Sequence, residues 1–195
     1  MGQNNNVKTM GMFFNFLEKV SDKIIRWDNT EPKQDVYKNL SPTLPIIKLK
    51  KLKGGDNCSI IFVEALKYAR SIHASPSLNQ TVDFFYELTQ FVNKLDPKIK
   101  SKIKFRVKGN FGHNSENFFS EMFGKNSIDK VSSKNTFAKT LLNSKLIIVT
   151  HPETVLSQAM YSNVPTILII KKNHWWFTKT ALDTFDDLKK NKIAF

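Results

Sequence analysis

The chain has 195 residues, room for one ordinary domain and too few for two large ones. Its 41% hydrophobic and 12% aromatic residues suffice for a buried core, and no apolar run approaches the roughly 20 residues of a membrane-spanning helix. A count of 30 basic against 17 acidic side chains gives a formal net charge of +13. That field favours phosphates, nucleic acids or an acidic membrane surface, although a lysine excess is equally what a plain solvated surface carries.

Residues 1–9 are polar and read as a disordered N-terminus without a signal-peptide pattern. Met1-Gly2 begins a myristoylation motif that Asn6 breaks, since Ser or Thr belongs there. The expectation is a soluble, cytoplasmic protein. Residues 10–27 place Phe13, Phe14, Phe16, Leu17, Val20, Ile24 and Ile25 at helical spacing. They predict a helix on the domain edge, or a helix docked on a membrane surface or a partner. Residues 28–45 read as linker, residues 45–49 as a short strand, and Gly54-Gly55-Asp56 as a turn.

Residues 59–63 (SIIFV) predict a strand. Lone Cys58 beside it excludes an intramolecular disulfide and a cysteine zinc site, and it reads as core. After a loop, residues 78–95 predict a helix with Val82, Phe85, Leu88, Val92 and Leu95 on one stripe, capped by Ser77 or Asn79 and stopped by Asp96-Pro97. Residues 102–107 (KIKFRV) predict the next strand, followed by the Gly-containing loop 108–114 and a helix over 116–123 that stops at Gly124. Residues 127–131 read as a short edge strand and 135–143 as a helix with Phe137, Ala138 and Leu141 inward.

Residues 146–149 and 167–170 are continuous apolar runs, as expected of strands covered on both faces. Between them Thr150-His151-Pro152-Glu153-Thr154 forms a polar corner, with Pro152 in the first turn of a helix. Residues 178–190 close the pattern with a helix that buries Ala181, Leu182, Phe185 and Leu188. Strands alternating with helices predict an α/β, three-layer α/β/α sandwich with a mostly parallel, Rossmann-like sheet. The expected domain is 46–195, with 10–45 as a helix and linker packed on it.

In such a sheet ligands bind beyond the carboxyl ends of the strands. Loops 108–114, 150–154 and 171–176 meet there, bringing Lys108, His113, Thr150, His151, Glu153, Thr154, Lys171, Lys172, His174 and Trp175 to one rim. The helix start at 152–154 offers free N–H groups and a positive dipole end to a phosphate. Thr154 and Gln158, four apart, share a helix face. Each also has a bland role: Thr154 as a cap, Glu153 as a dipole partner, the histidines as surface residues. No GxGxxG, GxxxxGK[ST] or GxSxG motif and no metal-ligand spacing occurs, so no cofactor is expected.

The run from residue 147 to 193 resembles the C-terminal part of a transferase family of bacterial surface-polysaccharide (O-antigen) biosynthesis clusters, whose proteins look like two-domain GT-B glycosyltransferases. Thr154 matches a corner hydroxyl, Asn163-Val164-Pro165-Thr166 an N-[IV]-P-T segment, and Asn173-His174-Trp175 an N-H-W segment. Upstream, residues 22–27 (DKIIRW) and Phe105-Arg106-Val107 resemble further segments. The resemblance implies one half of a GT-B fold, C-terminally incomplete and lacking the acceptor domain, which a separate chain would supply. It implies a nucleotide-diphosphate sugar as ligand, its phosphates at Thr150–Thr154 (Glu153 included) with Arg106 or Lys108, the ribose at Gln158, and the base or sugar at His174-Trp175. Gln158 departs from the family, which has Glu there.

Two rivals stand beside this expectation. One is a non-catalytic scaffold remnant that docks a partner or an anionic membrane at the inner face of the cell membrane. The other, a nucleic-acid binder, is disfavoured because aromatic residues are not interleaved with the basic clusters.

Overall fold

The computed structural model describes residues 19–26, 37–39, 55–64, 76–109, 112–152, 154–175, 177 and 179–194. Their strands are β1 (Ile24–Arg26), β2 (Tyr37–Asn39), β3 (Asn57–Val63), β4 (Ile103–Lys108), β5 (Ser144–Val149) and β6 (Thr166–Leu168). Their helices are α1 (Leu78–Asn93), α2 (Pro97–Lys100), α3 (Ser115–Phe123), α4 (Phe137–Leu142), α5 (Thr154–Tyr161) and α6 (Lys179–Lys190).

The main sheet has the order β4-β3-β5-β6 and is parallel throughout. Cross-strand partners such as Ile60 with Phe105 and with Ile148 fix its register. The apolar runs divide by parity. Ile60, Phe62, Phe105 and Ile148 enter a core with Leu88 and Val92 of α1 and Phe119 of α3. Ile61, Ile147, Val149 and Leu168 enter another with Leu141 of α4, Val155, Leu156 and Ala159 of α5, and Ala181 and Phe185 of α6. Helices therefore cover both faces, which gives the expected α/β/α sandwich and explains the continuous apolar runs of β3 and β5, whereas the outermost strand β4 alternates, with Lys104 and Arg106 between Ile103, Phe105 and Val107. Each fully buried large side chain contributes roughly 1.5–3 kcal/mol of transfer free energy. Buried Ser144 is satisfied by donating to Ser59 Oγ (2.7 Å) or to the Thr140 carbonyl (2.6 Å).

Local chemistry sets the ends. The Ser77 N–H donates to Gln80 Oε1 (2.8 Å) at the start of α1. Asp96, the expected stop, accepts from the Lys98 N–H (2.7 Å) and begins α2 with Pro97 at its first position. Gly124 ends α3 with φ 85.

Three expectations are corrected. Within the predicted 10–27 helix, Lys19 and Val20 are helical but Ile24 to Arg26 form β1, which pairs in parallel with β2, while residues 10–18 and 27 lie outside the described residues. Val82 is 59% exposed, off the buried stripe of α1, because the helix packs through Leu88 and Val92. Residues 127–131 form no strand: a 3-10 turn at Lys125–Ser127 leaves a single parallel bridge, Ile128 to Phe105. Pro152 lies in a turn before Thr154, the first described residue of α5, and is fully buried in the corner. The strand predicted at 45–49 lies outside the described residues.

Candidate functional site

Connection β3 to β4 steps outward to one side, and connection β4 to β5 crosses back to the other side of β3. The strand order therefore reverses between β3 and β5, and the crevice beyond their carboxyl ends is where such sheets hold ligands. Glu64 leaves β3 on one side of it; Thr150 and His151 leave β5 on the other.

Glu64 is a residue that pattern reading missed, because one carboxylate after an apolar run carries no spacing signal. It is 5% exposed and accepts from the Ser115 hydroxyl (2.6 Å) and, more weakly, the Ser115 N–H (3.4 Å), at the start of α3. Its own N–H donates to the Lys108 carbonyl (3.0 Å). A carboxylate thus already occupies the positive end of α3. The start of α5, with Thr154 as its first residue, is the second helix N-terminus beside the reversal point.

Thr150 is buried, and both its N–H (3.2 Å) and its hydroxyl (3.1 Å) donate to the Ile61 carbonyl. It seals the end of the β3–β5 ladder, and its hydroxyl proton is committed there. His151 follows with its ring edge-on to Trp175, centroids 4.7 Å apart. Burial, and secondarily the Lys108 cation, push the His151 imidazole down to about 4. At neutral pH it is therefore an uncharged ring that serves as donor or acceptor without bringing a charge. Lys108, exposed at the end of β4, supplies the positive charge. Thr154 and Gln158 are both half-buried on α5.

The remaining expected residues lie elsewhere or outside the described set. Arg106 does not reach the rim. It is 4% exposed, and its guanidinium donates to Asp129 Oδ2 (3.2 Å), Thr140 Oγ1 (2.9 Å) and the Asn135 carbonyl (2.9 Å). The Thr140 hydroxyl also bonds Asp129 (2.5 Å), and the Asn135 amide bonds the other Asp129 oxygen. This buried cluster ties β4 to α4. Trp175 is 8% exposed and stacks on Phe177 at 6.2 Å, so it is core and orients His151 instead of offering an open ring face. His174 closes a 3-10 turn (Lys172–His174) that leans toward α1, where Lys171 pairs with Glu87 at 2.6 Å. Partial burial and Lys171 lower the His174 pKa, while Asp83 and Glu87 oppose that shift. Glu153 lies outside the described residues.

The Asn163-Val164-Pro165-Thr166 segment is backbone punctuation. Asn163 takes the left-handed conformation (φ 56), the Pro165 carbonyl accepts from the Ile147 N–H (2.9 Å), and the Thr166 hydroxyl donates to the Val164 carbonyl (2.9 Å). Asn tolerates that conformation better than most residues, so the segment stops α5 and sets β6 in register. Among the described residues no cluster of His, Cys, Asp and Glu suits a metal ion. Burial pushes the Cys58 thiol up, as befits an unreactive core residue.

A doubly wound parallel sheet with a polar crevice at its reversal point defines a Rossmann-like α/β domain. The family profile described as LIC12162 family transferase matches residues 5–195, and the chain belongs to that family. Its class is therefore that of transferases. No curated protein and no solved structure matches the chain.

Proposed function

We propose that this chain is the donor-binding part of a glycosyl- or related transferase of surface-polysaccharide assembly, taking a nucleotide-diphosphate sugar. The observation that carries this reading is the neutral His151 ring just before the start of α5, beside the reversal point, within the field of the Lys108 cation. A diphosphate needs fixed positive potential and N–H donors, and these groups supply them without a bound metal. Gln158, one turn into α5 from Thr154, offers an amide to a ribose hydroxyl. The acceptor side of the cleft, and the general base, would come from a separate domain or chain. Placement at the inner face of the cell membrane belongs to the same proposal.

Calorimetric titration with nucleoside diphosphates and nucleotide-diphosphate sugars tests it. Dissociation constants in the micromolar range are expected, weakened at least about tenfold by Lys108→Ala or by Thr154→Ala, in line with a lost charge-assisted bond of about 1.5–3 kcal/mol. No binding by the native chain, or binding by both variants as tight as the native chain's, would sink it. A second reading, a binding module without turnover, is favoured by Gln158, an amide where the resemblance expects a carboxylate. Donor binding that Gln158→Glu strengthens would support loss of an ancestral contact.

A further inference from the structure

The rim opposite the crevice carries a different chemistry. The sheet's amino-terminal end is met by the α1–β4 connection through α2, by the turn after α3, and by the start of β5. Residues 94–104 (KLDPKIKSKIK) hold five lysines against Asp96 alone, Lys125 lies in the turn after α3, and Lys145 is the second residue of β5. Among the described residues none of these lysines is paired with a carboxylate. The two best-anchored bond to neutral groups: Lys100 Nζ donates to Asn93 Oδ1 (2.6 Å) and Lys104 Nζ to the Asn126 carbonyl. Both line a cleft of about 130 Å³ with Phe123, Asn126 and Ser127. Their positive charge is held in place and is not neutralised.

Aliphatic side chains stand out of the same surface. Ile99, between Lys98 and Lys100, is 47% exposed, and Met122 at the end of α3 is 49% exposed. Phe123, the neighbouring aromatic, lies under Lys100, whose Nζ is 5.6 Å from its ring centroid. From this surface we infer that the amino-terminal rim is a docking face for an anionic lipid bilayer. Lysines act as non-directional point charges suited to a diffuse layer of headgroups, and the projecting Ile99 and Met122 enter the headgroup–acyl boundary. A single-stranded nucleic acid instead calls for exposed aromatic rings between the cations, and the described rim offers none. The proposal is independent of donor binding, because the two surfaces lie at opposite ends of the sheet.

Co-sedimentation of the full chain with vesicles tests it. Vesicles containing about one-third phosphatidylglycerol in phosphatidylcholine are expected to bind it, pure phosphatidylcholine vesicles are not, and about 0.5 M salt removes the binding. Exposed Lys94, Lys98, Lys102 and Lys125, changed together to Gln, lower the partition coefficient by roughly a hundredfold or more, at about fivefold per lysine. Ile99→Ser, which leaves the charge alone, lowers it several-fold. Exposed Lys179, Lys189, Lys190 and Lys192, changed to Gln, match the charge loss at another place and leave binding nearly intact. Unchanged circular dichroism and melting temperature establish that each variant is folded, and unchanged nucleotide titration separates this surface from the crevice. Three results would overturn the inference: no binding to the anionic vesicles, equal loss in the two lysine sets, or tighter retention on polyuridine than on vesicles through the same four lysines.

Discussion

At the scale of single residues, the rim is organised by what neutralises what. The Glu64 carboxylate fills the start of α3, and Asp129 answers Arg106 inside the fold, so the Lys108 charge is left at the crevice. Burial, and secondarily that charge, hold the His151 imidazole at about 4, against an ordinary 6.5. Between those values the unfolded chain carries a proton that the folded chain refuses. Stability is then complete above about pH 6.5 and is lost as pH falls toward 4, at a rate of about 1.4 kcal/mol per pH unit. The ring is half-buried, so water relieves part of the penalty, and the loss is on the order of 2–3 kcal/mol. Chemical denaturation at pH 7 and pH 4.5 should show the native chain losing more stability than His151→Gln, by about that amount. A ring proton titration placing His151 near 6.5 would refute this account. The resemblance expected Arg106 at the donor phosphates, but strand parity sets it opposite Phe105 and Val107, and Asp129, 23 residues away in sequence, holds it there.

At the scale of elements, close approaches decide what a segment tolerates. Gly55, two residues before β3, lies against the end of α4: a Cβ there would fall 1.8 Å from the Asn143 carbonyl oxygen. That carbonyl accepts from the Asn57 N–H (3.3 Å), which joins α4 to the first residue of β3. The clash is with backbone, so no side-chain rotation relieves it. Gly55→Ala should therefore destabilise the fold by about 3 kcal/mol, the upper part of the overpacking range. Gly124→Ala has open space and meets only the cost of its left-handed φ, about 1–2 kcal/mol. Urea midpoints of the two variants compare them directly, and an equal loss would mean that Asn143 yields. The turn signal at Gly54-Gly55-Asp56 marked the place without the reason, because the neighbour lies almost ninety residues along the chain. Likewise the 3-10 turn at Lys125–Ser127 defeated the strand expectation: Ile128 is apolar enough for a strand, but the chain arrives beside β4 with one residue in register.

At the scale of the whole molecule, the sheet is a partition. The runs at 59–63 and 146–149 were legible as strands because both of their faces are apolar, and that same property assigns successive residues to opposite cores, whereas 102–107 was legible by alternation, Ile103, Phe105 and Val107 entering one core and Lys104 and Arg106 facing away from it. The rim chemistry was less legible: Lys108 and His151 were expected on one rim, but burial of Glu64, Arg106 and Trp175 depends on partners distant in sequence and not on spacing. Partition has a measurable consequence. Phe119 of α3 and Phe185 of α6 lie in different cores, separated by the sheet, whereas Phe119 and Phe105 stack at 4.2 Å in one core. Each Phe→Leu change should cost about 1 kcal/mol. Phe119→Leu with Phe185→Leu should be additive within about 0.5 kcal/mol, while Phe119→Leu with Phe105→Leu should couple by more than that. Double-mutant cycles in denaturant measure both pairs. Strong coupling between Phe119 and Phe185 would mean that strain crosses the sheet, in which case a change under α3 would also reach the crevice at the start of α5. Additivity would instead insulate that crevice from the opposite core and leave its chemistry to β3, β5 and α5.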